Sequence, residues 1–204
     1  MKRIVAVVTA GLLVLLTGCS QMNSAASVGD TQISVATVEK SVTSILAERA
    51  KVDTSQMTLE TGAALATGQV RFHLISLLLA DVAAEKKIVN SPADVAARKA
   101  QILGQVGGAK ALPNALVGAG ISPEDYTTYI NSVLYSEKLT ALAIKAGATT
   151  ATAGNAIQAL VVDLAKRKKV TVNPRYGSWD PVAANVVAAD TTKGAVSTAS
   201  PAAK

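Results

Sequence analysis

The sequence predicts a mainly α domain: a helical bundle or cradle around one long central helix, with a small two-stranded element pairing the N- and C-terminal ends. Three observations carry this expectation. Apolar residues recur at spacings of three and four through most of the chain between residues 35 and 168. Within it, Thr58 to about Lys87 contains no proline and is apolar on two flanks, Val70, Leu74, Leu77 and Leu78 on one and Phe72, Ile75, Leu79 and Val82 on the other. A helix apolar nearly all round is a buried one. The convincing strand candidates lie far apart, at Ala26–Ser34, with Val28 and Ile33 about a Gly29-Asp30 turn signal, and at Lys169–Asn173, where Val170 and Val172 alternate with Thr171 and Asn173. A lone strand leaves its backbone donors and acceptors unpaired, so the two are expected to pair with each other.

Residues 1–18 read as a signal peptide, with Lys2 and Arg3 as the positive region and Ile4 to Leu16 as an apolar stretch too short to span a bilayer. Leu16-Thr17-Gly18-Cys19 matches the lipobox of bacterial lipoprotein precursors, and Cys19 is the single cysteine of the chain. A diacylglycerol on its thiol and a second acyl chain would anchor it stably to a membrane, which one chain alone does not. The expected address is therefore the extracytoplasmic face of the cell membrane. Residues 19–26, short, small and polar, form the expected tether.

Removing Lys2 and Arg3 takes the formal charge from +6 to +4, a mild excess that suits an anionic membrane surface. Aromatic residues make up 3% of the chain, too few for a base-stacking platform, and no nucleic-acid partner is expected. At 50% hydrophobic, much of it Ala and Val, the chain suits one domain of closely packed helices.

The elements follow in order. Ser34 caps a first helix to about Lys51, with Val35, Val38, Val42, Ile45 and Leu46 on one face. The central helix ends near Lys86 and Lys87, cations suited to the helix dipole. Its thirteen most apolar residues, interrupted by Arg71, His73 and Asp81, are too few for a membrane span. Ser91-Pro92-Ala93-Asp94 and Ser122-Pro123-Glu124-Asp125 are twin start signals, predicting helices over about 92–105 and 123–146. Between them Ala109–Val117, with Pro113 inside, reads as a short irregular helix. A last helix is expected from about Thr152 to Lys168, leading straight into the closing strand. Residues 182–204, rich in Ala, Thr and Ser without a period, are expected to be a disordered tail, leaving a domain over 27–181.

With these ends placed, the chain resembles the N-terminal helical domain of SurA-type and PrsA-type extracytoplasmic chaperones, which is related to the peptide-binding domain of trigger factor. The resemblance rests on Val28-Gly29-Asp30-Thr31-Gln32-Ile33-Ser34, on the short helix before Gly120-Ile121-Ser122-Pro123-Glu124-Asp125, and on Val172-Asn173-Pro174-Arg175-Tyr176-Gly177. It implies a helical cradle that binds exposed apolar segments of unfolded clients without ATP. The parvulin prolyl-isomerase domain of the related foldases has no room between the last helix and the closing strand, so no enzyme activity is expected. The family's opening turn is commonly Asn-Gly, and Gly29-Asp30 departs from it.

No other motif carries chemistry. His73 is the single histidine, so a metal cluster or a histidine-based dyad lacks partners, and a structural role in the central helix is favoured. Glu124 and Asp125 are explained by a first helical turn. The Lys166–Lys169 run suits a helix C-terminus better than a headgroup site. Gly104, Gly107 and Gly108 fall between helices and form no phosphate loop, and neither catalytic residue, cofactor nor metal is expected. Arg175, Tyr176 and Trp179 are either contacts for a client or partner, or a clamp of the closing segment onto the helices. Two functions follow as expectations: a membrane-anchored chaperone-like module for unfolded or exported proteins, or a lipoprotein that docks on a folded envelope partner.

Overall fold

The computed structural model describes residues 23–188; the lipobox with Cys19, and residues 189–204, lie outside them. Two short strands open the described chain, β1 (Ser24–Val28) and β2 (Thr31–Ser34). Gly29 takes φ 58° while Asp30 keeps a negative φ, the type II′ pattern with glycine first, whose twist matches the flanking strands. Six helices follow: α1 (Val35–Arg49), α2 (Gly62–Glu85), α3 (Pro92–Gln105), α4 (Leu112–Ala119), α5 (Tyr126–Lys145) and α6 (Thr150–Lys168). Three strands close the fold, β3 (Val170–Val172), β4 (Ser178–Asp180) and β5 (Asn185–Val187).

The ends pair as the alternation predicts, although the element has three strands instead of two. β1 lies in the middle of an antiparallel sheet of order β2-β1-β3, with Ala26 opposite Val172, Ser27 opposite Thr171 and Val28 opposite Val170. A bulge between Ser24 and Ala26 turns two consecutive alanines inward, and Ala25 and Ala26 are both buried. On the outer face Ser27 Oγ and Thr171 Oγ1 share a hydrogen bond of 2.7 Å. The expected tether is therefore shorter than its sequence suggests: Ser24, Ala25 and Ala26 belong to the domain because small side chains fit beneath the central helix.

That helix is α2, 24 residues or about 36 Å long. It is the one described helix long and apolar enough to cross a membrane by length and composition. Here it is the core of the fold instead. Val70, Leu74 and Leu78 are fully buried, and α2 touches α1, α5, α6 and the sheet. α2 starts after Thr61, later than the pattern predicts, and Thr61 makes no side-chain capping bond; just before it, Arg49 Nη1 donates to the Glu60 carbonyl oxygen at 2.7 Å.

The first twin signal works as read. Ser91 and Asp94 form a reciprocal capping box on α3, and Lys138 of α5 sits 2.7 Å from Asp94. The Lys138 ammonium and the Ser91 bonds hold the Asp94 carboxyl down to about 2. The second twin does not start its helix at Pro123. Ser122 Oγ accepts from the Asp125 amide, but α5 begins only at Tyr126, since Ser122 and Asp125 are drawn into a buried cluster described below.

The basic run at the end of α6 has intramolecular partners. Arg167 makes two bonds of 2.9 Å to the Glu85 carboxylate and one of 3.0 Å to Asp163, and Lys168 lies 3.1 Å from Asp81. Arg167 in turn lowers the pKa of Glu85.

The ordered domain also extends past Pro181. β4 and β5 form a second, two-stranded sheet in which Trp179 faces Val186. Val186 is fully buried, and its carbonyl oxygen accepts from Arg71 Nε and Nη2 at 3.3 and 3.1 Å. The start of the expected tail is thus part of the core. One apolar side chain and two bonds from an arginine suffice to hold a strand that composition alone does not reveal.

Candidate functional site

An apolar groove runs between α2 and α5. Phe72, Ile75 and Leu79 line one wall at helical spacing, and Tyr129 and Val133 line the other. Its floor is the helix crossing, where Ser132 Oγ donates to Ser76 Oγ at 2.9 Å. Small hydroxyl residues there bring the backbones close, and the larger residues on either side splay outward. The result is a cavity of about 390 Å³, open to solvent along one side and lined mainly by carbon. The second flank of α2, Phe72, Ile75 and Leu79, is half-buried here and has no further element of the described chain above it.

A second cavity of about 290 Å³ adjoins the groove and shares Gly68, Arg71 and Phe72 with it. It is closed by the segment 58–60, by the end of α4 and by Arg49 from the last turn of α1. Gln69 is 4% exposed; its Nε2 donates to the Gly120 carbonyl oxygen at 2.9 Å, and its Oε1 has no hydrogen-bond partner among the described residues. Arg49 Nε is likewise buried and unpartnered.

His73 turns to the other side of α2. Ser41 Oγ lies 2.9 Å from His73 Nε2 and donates to Asp125 Oδ2 at 2.6 Å, and Ser122 Oγ donates to the same carboxylate oxygen at 2.6 Å. The hydroxyl proton of Ser41 being spent on Asp125, Nε2 is the nitrogen that carries hydrogen. This is not a catalytic triad, in which acid and nucleophile take opposite ring nitrogens. Here both face Nε2, and Asp125 Oδ2 is 3.8 Å from it. The cluster clips α1, α2 and the turn before α5 together.

Burial lowers the pKa of His73, and the Asp125 carboxylate opposes that shift only in part. The unfolded chain, with an ordinary imidazole, therefore binds a proton at higher pH than the folded one. The stability contributed by neutral His73 is complete above the ordinary imidazole value of 6.5 and is lost as pH falls from there towards the lower folded value. Melting temperature is expected to drop as pH falls through the ordinary imidazole range, and a His73→Gln chain is expected to show a flatter profile. Parallel profiles for the two chains would exclude His73 as the source.

Of the residues singled out in the sequence, Arg175 lies against Tyr176, and Trp179 packs on the core that contains Tyr176. Tyr176 is buried in the core, its carbonyl oxygen accepting from Thr67 Oγ1 at 2.7 Å, and burial raises the pKa of its hydroxyl. Trp179 packs against the same core from β4. Arg175 is exposed, 3.2 Å from Glu39, with its guanidinium 5.3 Å from the centre of the Tyr176 ring. Together they form the clamp, and Tyr176 presents no side chain to a partner. Arg49 and Gln69 escaped the sequence reading altogether; the one signal was a glutamine set just before the apolar stretch of the central helix. Compared with family models, with curated proteins and with solved structures, the chain finds no match.

Proposed function

We propose that the chain is a membrane-anchored, ATP-independent chaperone-like module that captures exposed apolar segments of unfolded or exported proteins in the groove between α2 and α5. The observation that carries this reading is the groove itself, an apolar cavity of about 390 Å³ open along its length and framed by rigid helices. Such a cleft buries a side chain without requiring the host to rearrange, so little ordering cost is set against the gain. The pairing of the opening and closing strands, on which the resemblance to SurA-type domains leans, supports the same reading.

The test is aggregation of a chemically unfolded protein, followed by light scattering with and without the chain. Suppression near equimolar ratio is expected. Val133→Asp puts a carboxylate in the groove wall and is expected to weaken suppression about tenfold or more. No suppression across several clients would sink the proposal. Recovery of a single stoichiometric folded protein from membranes would favour the docking alternative.

The anchor belongs to the same proposal. Cys19→Ala is expected to leave the precursor without acyl groups and unprocessed at that site, and to release the protein from tight membrane association apart from any held by the uncleaved signal. Mass spectrometry of the mature N-terminus checks it; an N-terminus elsewhere with no acyl mass would refute it.

A further inference from the structure

α3 alone among the six helices has no buried residue. It is nonetheless amphipathic: Val95, Ile102, Leu103 and Val106 recur at helical spacing, and each is only half-buried. Among the described elements it packs against α5, and part of that seam is unfilled, an open cavity of about 430 Å³ being lined by Val95 and Ala96 of α3 and by Asn131 of α5. Polar groups join the two helices. Asp94 pairs with Lys138 at 2.7 Å, Arg98 pairs with Glu137, and Lys99 Nζ donates to Thr127 Oγ1 at 2.8 Å. Lys138 also donates to the Val89 carbonyl oxygen at 2.7 Å, so one ammonium fastens both the first turn of α3 and the segment that leads into it. From the same segment Asn90 Nδ2 donates to the Asn131 carbonyl oxygen at 3.1 Å.

Both ends of α3 are jointed. The chain leaves α2 through Lys87 at φ 57°, a region uncommon for a residue with a Cβ, and approaches α3 through Val89, which is 77% exposed and so barely packed. Beyond α3 come Gly107 and Gly108 at φ 89° and 98°, and nothing lies within 4 Å of where a Cβ on Gly108 would stand. Short segments of this kind absorb the dihedral change of a hinge. We propose that α3 is a hinged arm, latched to α5 by Lys138 and the neighbouring ion pair, which swings away as a unit and does so more often as ionic strength rises. Partly exposed ion pairs contribute little each and are screened by salt, and no deeply buried side chain of α3 holds the arm when they weaken. The open form uncovers the stripe of Val95, Ile102, Leu103 and Val106, so the chain offers more apolar surface at high salt than at low. The inference is independent of what the groove between α2 and α5 binds.

The test is amide hydrogen exchange of the full chain, read by mass spectrometry at about 10 mM and about 500 mM sodium chloride, where charges are screened over about 30 Å and about 4 Å. Rates are divided by those of unstructured peptides of the same sequence. An isolated helix of 14 residues is marginal in water, so each departure of α3 from α5 opens its amides to exchange. At low salt the amides of α3 are expected to exchange at least about tenfold faster than those of α2, along the whole helix and not from its ends alone. At high salt they are expected to exchange about three- to tenfold faster still. Lys138→Met, which keeps the stem and removes the charge, is expected to bring that faster exchange already at low salt and to blunt the response to salt. Protection of α3 equal to that of α2 would overturn the arm. Exchange that spreads inward from the ends while the middle stays protected would show fraying and overturn it also. Fast exchange of the whole helix at a rate that salt leaves unchanged would overturn the latch and with it the proposal, a comparison that needs no variant to fold.

Discussion

A chain ending at Lys168 is expected not to fold. It loses β3, so the edge of β1 carrying Ala26 and Val28 stands open, and it loses Tyr176 and Val186, two buried side chains of the main core. Each buried side chain of that size is worth about 1.5–3 kcal/mol, and with the ladder the sum approaches the roughly 5–15 kcal/mol that holds a domain together. A chain ending at Pro181 keeps the first sheet but loses β5, Val186 and the carbonyl to which Arg71 donates. It is expected to lose about 2–4 kcal/mol and to melt about 5–15 °C lower. A chain ending at Ala188 retains every described element and is expected to melt within a few degrees of the whole. Thermal unfolding by circular dichroism ranks the three. Equal melting of the chains ending at Pro181 and Ala188 would show that β5 contributes nothing and that the domain closes at residue 181.

Gly177→Ala is expected to be the most damaging small substitution in the closing segment. Gly177 has φ 131°, a conformation that residues with a Cβ rarely adopt, and a Cβ there would fall on the Val187 carbonyl oxygen, backbone that cannot step aside without opening β5. Strain and overpacking together are worth about 2–5 kcal/mol, or about 5–15 °C in melting temperature. The contrast is Gly154→Ala. Gly154 lies in the exposed face of α6, nothing lies within 4 Å of its added Cβ, and helix propensity is expected to raise stability by about 0.5–1 kcal/mol. The same chemical change thus moves stability in opposite directions at two sites 23 residues apart. Loss of stability at both would mean that α6 resists substitution for a reason other than backbone conformation.

Periodicity and caps made the helices and the pairing of the ends legible, because both are local signals: Ser91 and Asp94 bond each other three residues apart wherever the rest of the chain goes. The same four-residue signature misled at Ser122, where Asp125 answers to Ser41 and His73, residues 84 and 52 positions away whose arrival no local pattern announces. β5 was hidden for a related reason. Its one deeply buried residue, Val186, stands in a stretch of Ala, Asn and Val, and what makes it a strand is Arg71, 115 positions earlier. The candidate site was half visible. Phe72, Ile75 and Leu79 were seen as a second apolar flank, yet whether that flank is covered depends on where α5 crosses α2, which the contact between Ser76 and Ser132 fixes. Arg49 and Gln69 become interesting only through bonds they do not make, and a sequence cannot display an absence of partners.

The contact between Ser27 and Thr171 spans 144 positions of chain, and it sits at the end that leaves the ribosome first. At roughly 5–20 residues per second, the hairpin of β1 and β2 waits about 7–27 s before β3 is synthesised. For that interval β1 has one paired edge and one bare edge, with Ala26 and Val28 uncovered. The helices have mostly nearby contacts and are placed to form early, while closing so long a loop is the slow, entropically costly step. Refolding is accordingly expected to show helical signal ahead of burial of Trp179, which follows β3 in the chain. On the function proposed above, a chain that captures exposed apolar segments passes through an interval in which it presents one itself.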